Sequence, residues 1–276
     1  EKIKEAVFKY GGVQTSIYNA LRSSQSSSPY YNKSTDAYCY IGTEKPNHDV
    51  VIVGWDDSYS KDNFNTDLEG DGAFICQNSW GDNFGENGFF YISYYDTNIG
   101  THNVVYTDIE NTDNYDHIYQ SDLCGWVGQL GYNKDSIYGA NVFTAEGNET
   151  LKAASFYATG KDSQYELYVV RQFEDETSLE KMIPVASGKL GNAGYYTVDF
   201  NQGIEVDAGE RYAVVLYIIT PGSVHPMAIE YAADEATENV DLDDGESYIS
   251  ANGSKWVSVD TVEKSNLCIK AFSDNR

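Results

Sequence analysis

The chain has 276 residues, 43 acidic against 18 basic side chains and a net charge of -25, with 41% hydrophobic residues. That length suits one large domain or two ordinary ones without help from metals or disulfides. So acidic a chain repels phosphate backbones and anionic membranes, which argues against a nucleic-acid partner, and no apolar run approaches the ~20 residues needed to cross a bilayer.

The sequence opens on Glu1 inside a helical pattern, so the absence of a signal peptide says nothing about destination and the chain reads as a fragment. Ile3, Ala6, Val7 and Tyr10 recur at helical spacing, Glu5 stands four before Lys9, and Gly11-Gly12 follows as a stop. Val13 to Ala20 alternates like a strand, and the serine-rich stretch from Ser23 to Asn32 reads as an exposed loop. Val50 to Trp55, Ala73 to Asn78 and Phe89 to Tyr94 are apolar runs bounded by Gly, Asp and Asn, and are expected to form one compact sheet.

From Asp108 to Asp116 the chain is polar and aperiodic, the mark of a linker, so two domains are expected, 1–110 and 111–276. Beyond it short strands are expected at Ala140 to Thr144, Leu151 to Ala158, Tyr165 to Gln172, Tyr195 to Phe200, Arg211 to Ile219 and Leu267 to Phe272. With turn residues between them and no helical periodicity, an antiparallel β-sandwich fits best, and the whole chain is mostly β with minor α.

His48 stands two residues before one strand run, and Asn78 closes the next. If those runs pair antiparallel, the start of the first lies beside the end of the second, and imidazole and amide come within hydrogen-bond reach. A cysteine peptidase needs such a pair. The histidine takes the thiol proton and later protonates the leaving amine, while a fixed acceptor holds its ring. Taken singly, a histidine near a strand end and a glycine-rich turn are more often structural.

The words around them are longer. Asn47-His48-Asp49-Val50-Val51-Ile52-Val53-Gly54-Trp55 resembles the histidine strand of papain-like cysteine peptidases. Gln77-Asn78-Ser79-Trp80-Gly81, with Gly85-Glu86-Asn87-Gly88-Phe89-Phe90, resembles their asparagine strand and glycine turn. Tyr10-Gly11-Gly12-Val13 resembles the segment that precedes the histidine in that family. The resemblance spans about residues 1 to 108 and implies a papain-like right-hand subdomain, an antiparallel barrel-like half. It makes His48 the general base and acid, Asn78 its orienting partner and Trp80 the ring shielding their bond, with Gly81 and Gly85 permitting the turn.

The family's Cys-Gly-Ser-Cys-Trp type word and the glutamine before it do not occur here, so the nucleophilic cysteine is expected upstream. Cys39, in Tyr38-Cys39-Tyr40, has no helix start to activate it. Cys76 is flanked by apolar residues and reads as a small hydrophobe. Cys124-Gly125-Trp126 lies in the wrong domain and on the wrong side of His48. Cys124 and Cys268 flank the second domain and pair only if its first and last strands are neighbours; two buried free thiols is the preferred reading.

Residues from about 117 onward resemble the lectin-like, jelly-roll type domain that follows the peptidase in some cell-surface cysteine peptidases of Gram-positive bacteria. The resemblance rests on Gly125-Trp126, Asn141-Val142-Phe143, the strand from Leu151 to Tyr157 and the closing Asn266-Leu267-Cys268-Ile269-Lys270-Ala271-Phe272. Trp126, Tyr132 and Trp256 are capable of stacking on sugar but read first as core.

The expected protein is a secreted or surface-anchored papain-like endopeptidase acting on protein or peptide substrates. It would complete its site with the upstream half of the peptidase domain, and this chain alone is expected to be inactive. The alternative is a carbohydrate or cell-wall glycan binding module with an inactive peptidase remnant. No cofactor is expected. A structural calcium is conceivable at Asp67 to Gly72 or Asp241 to Glu246, although a solvated turn is the simpler reading of both, the second loop being the weaker.

Overall fold

A computed structural model describes all 276 residues, which divide into two compact units, Glu1–Glu110 and Asn111–Arg276.

The first unit opens with α1 (Lys2–Tyr10). Gly11 ends it in the left-handed region at φ 84°, its N–H donating to Val7 O at 2.8 Å, a stop that an L side chain disfavours. Seven strands follow: β1 (Val13–Ile17), β2 (Tyr31–Asn32), β3 (Ala37–Tyr38), β4 (His48–Asp56), β5 (Ala73–Gln77), β6 (Phe89–Ser93) and β7 (Thr101–Val104). They form one open sheet in the order β2-β3-β6-β5-β4-β1-β7, antiparallel except where β3 runs parallel to β6. Alternation sets its core face. Val50 and Ile52 are buried while Val51 is exposed, and they pack with Val13, Ile17, Cys76, Phe90, Ile92 and the helix residue Val7.

Two expectations for this unit change. The first strand stops at Ile17, because Tyr18 N donates instead to the Asn98 side chain. The serine-rich stretch is a loop only as far as Tyr30; Tyr31 is buried in β2 and stacks on Phe84, ring centroids 5.5 Å apart.

The second unit contains β8 (His117–Tyr119), β9 (Gly128–Leu130), β10 (Ser136–Thr144), β11 (Glu149–Ala158), β12 (Ser163–Val170), β13 (Ile183–Leu190), β14 (Gly194–Val206) and β15 (Arg211–Ile219). The remaining strands are β16 (Met227–Glu230), β17 (Ser247–Ser250), β18 (Val257–Ser258), β19 (Asn266–Leu267) and β20 (Ile269–Asn275). One sheet runs β13-β12-β15-β10-β17-β18, a second β14-β11-β20-β8, and a third, small sheet β19-β16-β9. Every pairing within them is antiparallel.

The first two sheets share one core. Ile137, Leu167, Val214, Leu216 and Ile218 from one pack with Leu151, Ala154, Phe156, Ile269 and Ala271 from the other, which makes the unit a sandwich. The intervening residues of β15, Ala213 and Val215, face a separate cluster with Phe173, Leu179 and Trp256. Burial on both faces explains why Arg211 to Ile219 reads as a nearly unbroken apolar run. Tyr132 and Trp256 are core residues as expected, whereas Trp126 is 37% exposed.

Candidate active site

His48 begins β4, where it pairs with Ile17 of β1. The next strand over, β5, runs antiparallel with Val51 opposite Gln77 and Ile52 opposite Cys76, so Asn78, one residue past β5, arrives beside the start of β4. The side chains meet there: His48 Nε2 and Asn78 Oδ1 are 2.9 Å apart. An amide oxygen only accepts, so Nε2 carries the proton in this contact and Nδ1 is left as the basic nitrogen of a neutral ring.

Asn78 is itself fixed. Only 7% exposed, it donates its backbone N–H to Gly88 O at 3.0 Å, and its Oδ1 also accepts from Ser79 N at 2.8 Å. Trp80 lies over the histidine, ring centroids 5.4 Å apart and tilted by 37°. The indole thus packs against one side of the imidazole. The structure thus brings His48, Asn78 and Trp80 together.

Residues that sequence reasoning passed over hold this group in place. Phe84 is 2% exposed and meets Trp80 edge-on at 5.2 Å, and Phe90 in turn at 5.2 Å. Beside His48, Asn47 Oδ1 accepts from Asn19 N at 2.7 Å, and the Asp49 carboxylate accepts from Gln14 Nε2 at 3.0 Å and Ser16 Oγ at 2.7 Å. Phe84 has a sequence signal, an aromatic between the two turn glycines; the Asn19 contact has none.

No cysteine joins the group. All four are free. Burial, reinforced by Asp96, pushes the Cys39 thiol up to about 12. Cys76 is fully buried and its thiol is raised well above the ordinary value by desolvation. Cys268 is also buried and shifted upward, first by desolvation and then by Asp122. The expectation of two buried thiols in the second unit fails at Cys124, which is exposed in the surface turn closed by Gly125 N to Asp122 O at 3.0 Å. Its thiol is raised by desolvation and by the Glu230 carboxylate.

No three His, Cys, Asp or Glu side chains gather as a metal-binding group. At Asp67 to Gly72 the carboxylates of Asp67, Glu69 and Asp71 are exposed, and Asp71 Oδ1 accepts from Lys61 N at 2.9 Å. The loop at Asp241 to Glu246 is different, because the buried side chain of Asn266 reaches it.

Residues 1–109 match the papain family cysteine protease family, and residues 118–273 match the lectin like domain family. No curated protein gives a significant match. Two solved structures are similar along nearly the whole chain. One is the clostridial cysteine protease Cwp84 after propeptide cleavage, 28% identical, with a TM-score of 0.83; the alignment covers 99% of this chain and 68% of that one. The other holds the cysteine protease and lectin-like domains of Cwp84, described as a surface layer associated protein of Clostridium difficile, 26% identical with a TM-score of 0.80. It covers 99% of this chain and 61% of that one, so the present chain spans about two thirds of these relatives. No helix is long and apolar enough to cross a membrane. The chain belongs to the lectin-like domain family through residues 118–273, set behind a portion of a papain family cysteine protease at residues 1–109.

Proposed function

We propose that residues 1–110 supply the proton-transfer half of a papain-like cysteine endopeptidase, with the nucleophilic cysteine contributed by a segment upstream of residue 1. The observation that carries this reading is the 2.9 Å contact between His48 and Asn78 beneath Trp80. In the proposed reaction His48 Nδ1 removes the thiol proton, the thiolate attacks the peptide carbonyl, and the imidazolium then protonates the leaving amine. Asn78 keeps the ring in the tautomer that leaves Nδ1 basic.

The chain's own thiols support an external nucleophile. A catalytic cysteine has its pKa depressed, and all four here are shifted the other way. Without a thiolate the chain forms no acyl-enzyme, and it is expected to hydrolyse nothing alone. Joining it to the coding segment that precedes Glu1 and assaying peptide hydrolysis tests this. Alkylation-sensitive turnover by the joined protein, with none from the isolated chain, is expected. Hydrolysis by the isolated chain, or an inert joined protein, would sink the reading.

We also infer that the protein works outside the cell at its surface, since the similar protease is described as surface layer associated. Recovery of the protein only from the cytoplasmic fraction of the source cells argues against it. The two units are taken as separate domains; residues 111–276 expressed alone then unfold in one cooperative transition, and an aggregated product denies the division.

One feature favours a second reading, binding of a cell-wall glycan. A cavity of about 320 Å³ is lined by Asp122, Tyr157, Tyr195 and Lys270, and half-exposed Trp126 packs 5.8 Å from Tyr157. Aromatic faces beside a charged pair suit a sugar ring. Co-sedimentation with purified cell-wall polysaccharide that is lost in Trp126→Ala supports this; no co-sedimentation removes it.

A further inference from the structure

The outer face of the sheet β13-β12-β15-β10-β17-β18 is covered over only part of its extent. Toward one end, Phe173, Leu179 and Trp256 pack on Ala140, Ala213 and Val215 and bury them. Toward the other, two cross-strand rows stay open. One row sets Ser187 opposite Glu166, Glu166 opposite Tyr217 and Tyr217 opposite Tyr138. The next sets Lys189 opposite Gln164 and Gln164 opposite Ile219. Their chain neighbours Ile137, Leu167 and Ile218 lie in the shared core, so by strand alternation both rows face outward. They border a groove of about 250 Å³.

The groove has an apolar strip. Tyr217 is half-buried and stacks on Tyr138, ring centroids 4.2 Å apart and planes at 21°. Tyr138 covers one face of the ring, and the other borders the groove beside Ile219. The polar groups around the strip are unengaged. The side chains of Gln164, Ser187 and Lys189 are exposed and hydrogen-bond to nothing in the protein, and Glu166 accepts only from the Tyr168 hydroxyl, through Oε2. Amide and hydroxyl each donate and accept, the carboxylate accepts and the ammonium donates. One carboxylate and one ammonium leave the groove without net charge, in a chain whose overall -25 repels polyanions. The ammonium in turn opposes a cationic occupant.

The matching ligand has an apolar face, many hydroxyls and no charge. We propose that this groove binds an uncharged oligosaccharide, with a pyranose ring against Tyr217 and Ile219 and its hydroxyls bonded to Gln164, Glu166, Ser187 and Lys189. The ring's C–H face meets the aromatic face, and each hydroxyl replaces a water at a side chain that has no other partner. The site is separate from the cavity beside Trp126. Tyr157 and Lys270, which line that cavity, leave β11 and β20 next to the core residues Phe156 and Ile269, and so lie on the outer side of the other sheet. A long polysaccharide held at both faces loses its avidity when either site is lost, whereas a short oligosaccharide engages one site at a time.

The test therefore uses the full chain with two uncharged probes, cellohexaose and chitohexaose, and with heparin and hexalysine as charged controls. Calorimetry is expected to show binding of at least one uncharged hexamer, and saturation-transfer NMR to place its ring protons against tyrosine. Tyr217→Ala weakens that binding by about tenfold. Gln164→Ala and Lys189→Ala, which remove exposed side chains without partners, each weaken it by about threefold and leave the thermal transition in place. Should Tyr217→Ala fail to fold, these two decide. Trp126→Ala leaves binding of the hexamer unchanged. The proposal is overturned if neither uncharged hexamer binds, or if binding is lost in Trp126→Ala and kept in the three groove variants. Tighter binding of heparin or hexalysine, weakened by Gln164→Ala, would equally overturn it and make the groove a docking site for a charged partner.

Discussion

His48 Nε2 and Asn78 Oδ1 stand 2.9 Å apart although thirty positions separate them in sequence. The antiparallel register of β4 and β5 brings their backbones together, and Gly88 O and Ser79 N then fix the asparagine side. The contact uses up Nε2 and leaves Nδ1 as the ring's base, so each residue has its own expected signature. In the protein joined to its upstream segment, His48→Ala lowers turnover by about a thousandfold or more. Asn78→Ala lowers kcat by roughly ten- to a hundredfold, as for partners that orient a ligand histidine, with KM little changed because the buried amide is engaged by His48 and Ser79. Equal and small effects of both substitutions would remove the proton-transfer assignment.

The thiols give a second prediction, measurable on the chain as it stands. Cys39, Cys76 and Cys268 are buried and Cys124 is exposed. Under native conditions a disulfide-exchange reagent therefore modifies one thiol per chain, and Cys124→Ser removes that reaction, while unfolding releases all four. Desolvation and the nearby Glu230 carboxylate raise the Cys124 thiol, so its rate keeps climbing as pH is raised past the ordinary thiol range. Rapid reaction of two or more native thiols contradicts the burial pattern.

How much of this is legible in the sequence depends on how local the cause is. The meeting of His48 and Asn78 can be read because two apolar runs with a loop between them leave antiparallel pairing as the simplest arrangement. Arg211 to Ile219 can be read to the residue because burial on both faces makes it continuously apolar. Ile183–Leu190 escapes because Pro184, Gly188 and Lys189 break its pattern, which an edge strand tolerates. Leu267 to Phe272 is read as one strand but is divided at Cys268, whose N–H bonds Ala228 O while β19 and β20 serve different sheets.

Glu149 supplies a pH prediction for the second unit. It is fully buried and accepts from Ser273 Oγ at 2.5 Å, Tyr119 Oη at 2.8 Å and Gly147 N at 2.7 Å. Burial alone would raise its carboxyl, but these hydrogen bonds together outweigh it and hold the group below its ordinary value. A carboxyl whose folded pKa is depressed contributes stability that is full above the unfolded value of about 4.5 and lost as pH falls through the folded value. Wild type should therefore unfold at higher temperature than Glu149→Gln at pH 7, with the gap closing progressively below about pH 4.5. A gap that widens on acidification contradicts the sign.

The last prediction concerns the two glycines of the turn that carries Trp80 toward His48. Gly81 has φ +75° and Gly85 φ +57°, so both occupy the left-handed region, but their surroundings differ. A Cβ built on Gly81 meets nothing within 4 Å. Gly81→Ala then costs only the conformational strain, about 1 kcal/mol. A Cβ on Gly85 would stand 2.1 Å from Phe89 O, a backbone atom tied into the turn by Glu86 N at 2.9 Å. The carbonyl cannot yield without breaking that bond and disturbing Phe90, against which Phe84 and hence Trp80 are packed. Adding a lost buried hydrogen bond and overpacking to the strain brings the cost of Gly85→Ala to about 3 kcal/mol or more. Denaturant unfolding of the full chain, followed by tryptophan fluorescence, should place the midpoint of the transition that the two substitutions shift well lower for Gly85→Ala than for Gly81→Ala. In the joined protein Gly85→Ala should also lower turnover at temperatures where the fold persists, since the indole cover of the His48–Asn78 bond shifts with Phe84. Equal midpoints for the two variants would mean that the 81–88 turn is free to relax, and would detach it from the geometry of the site.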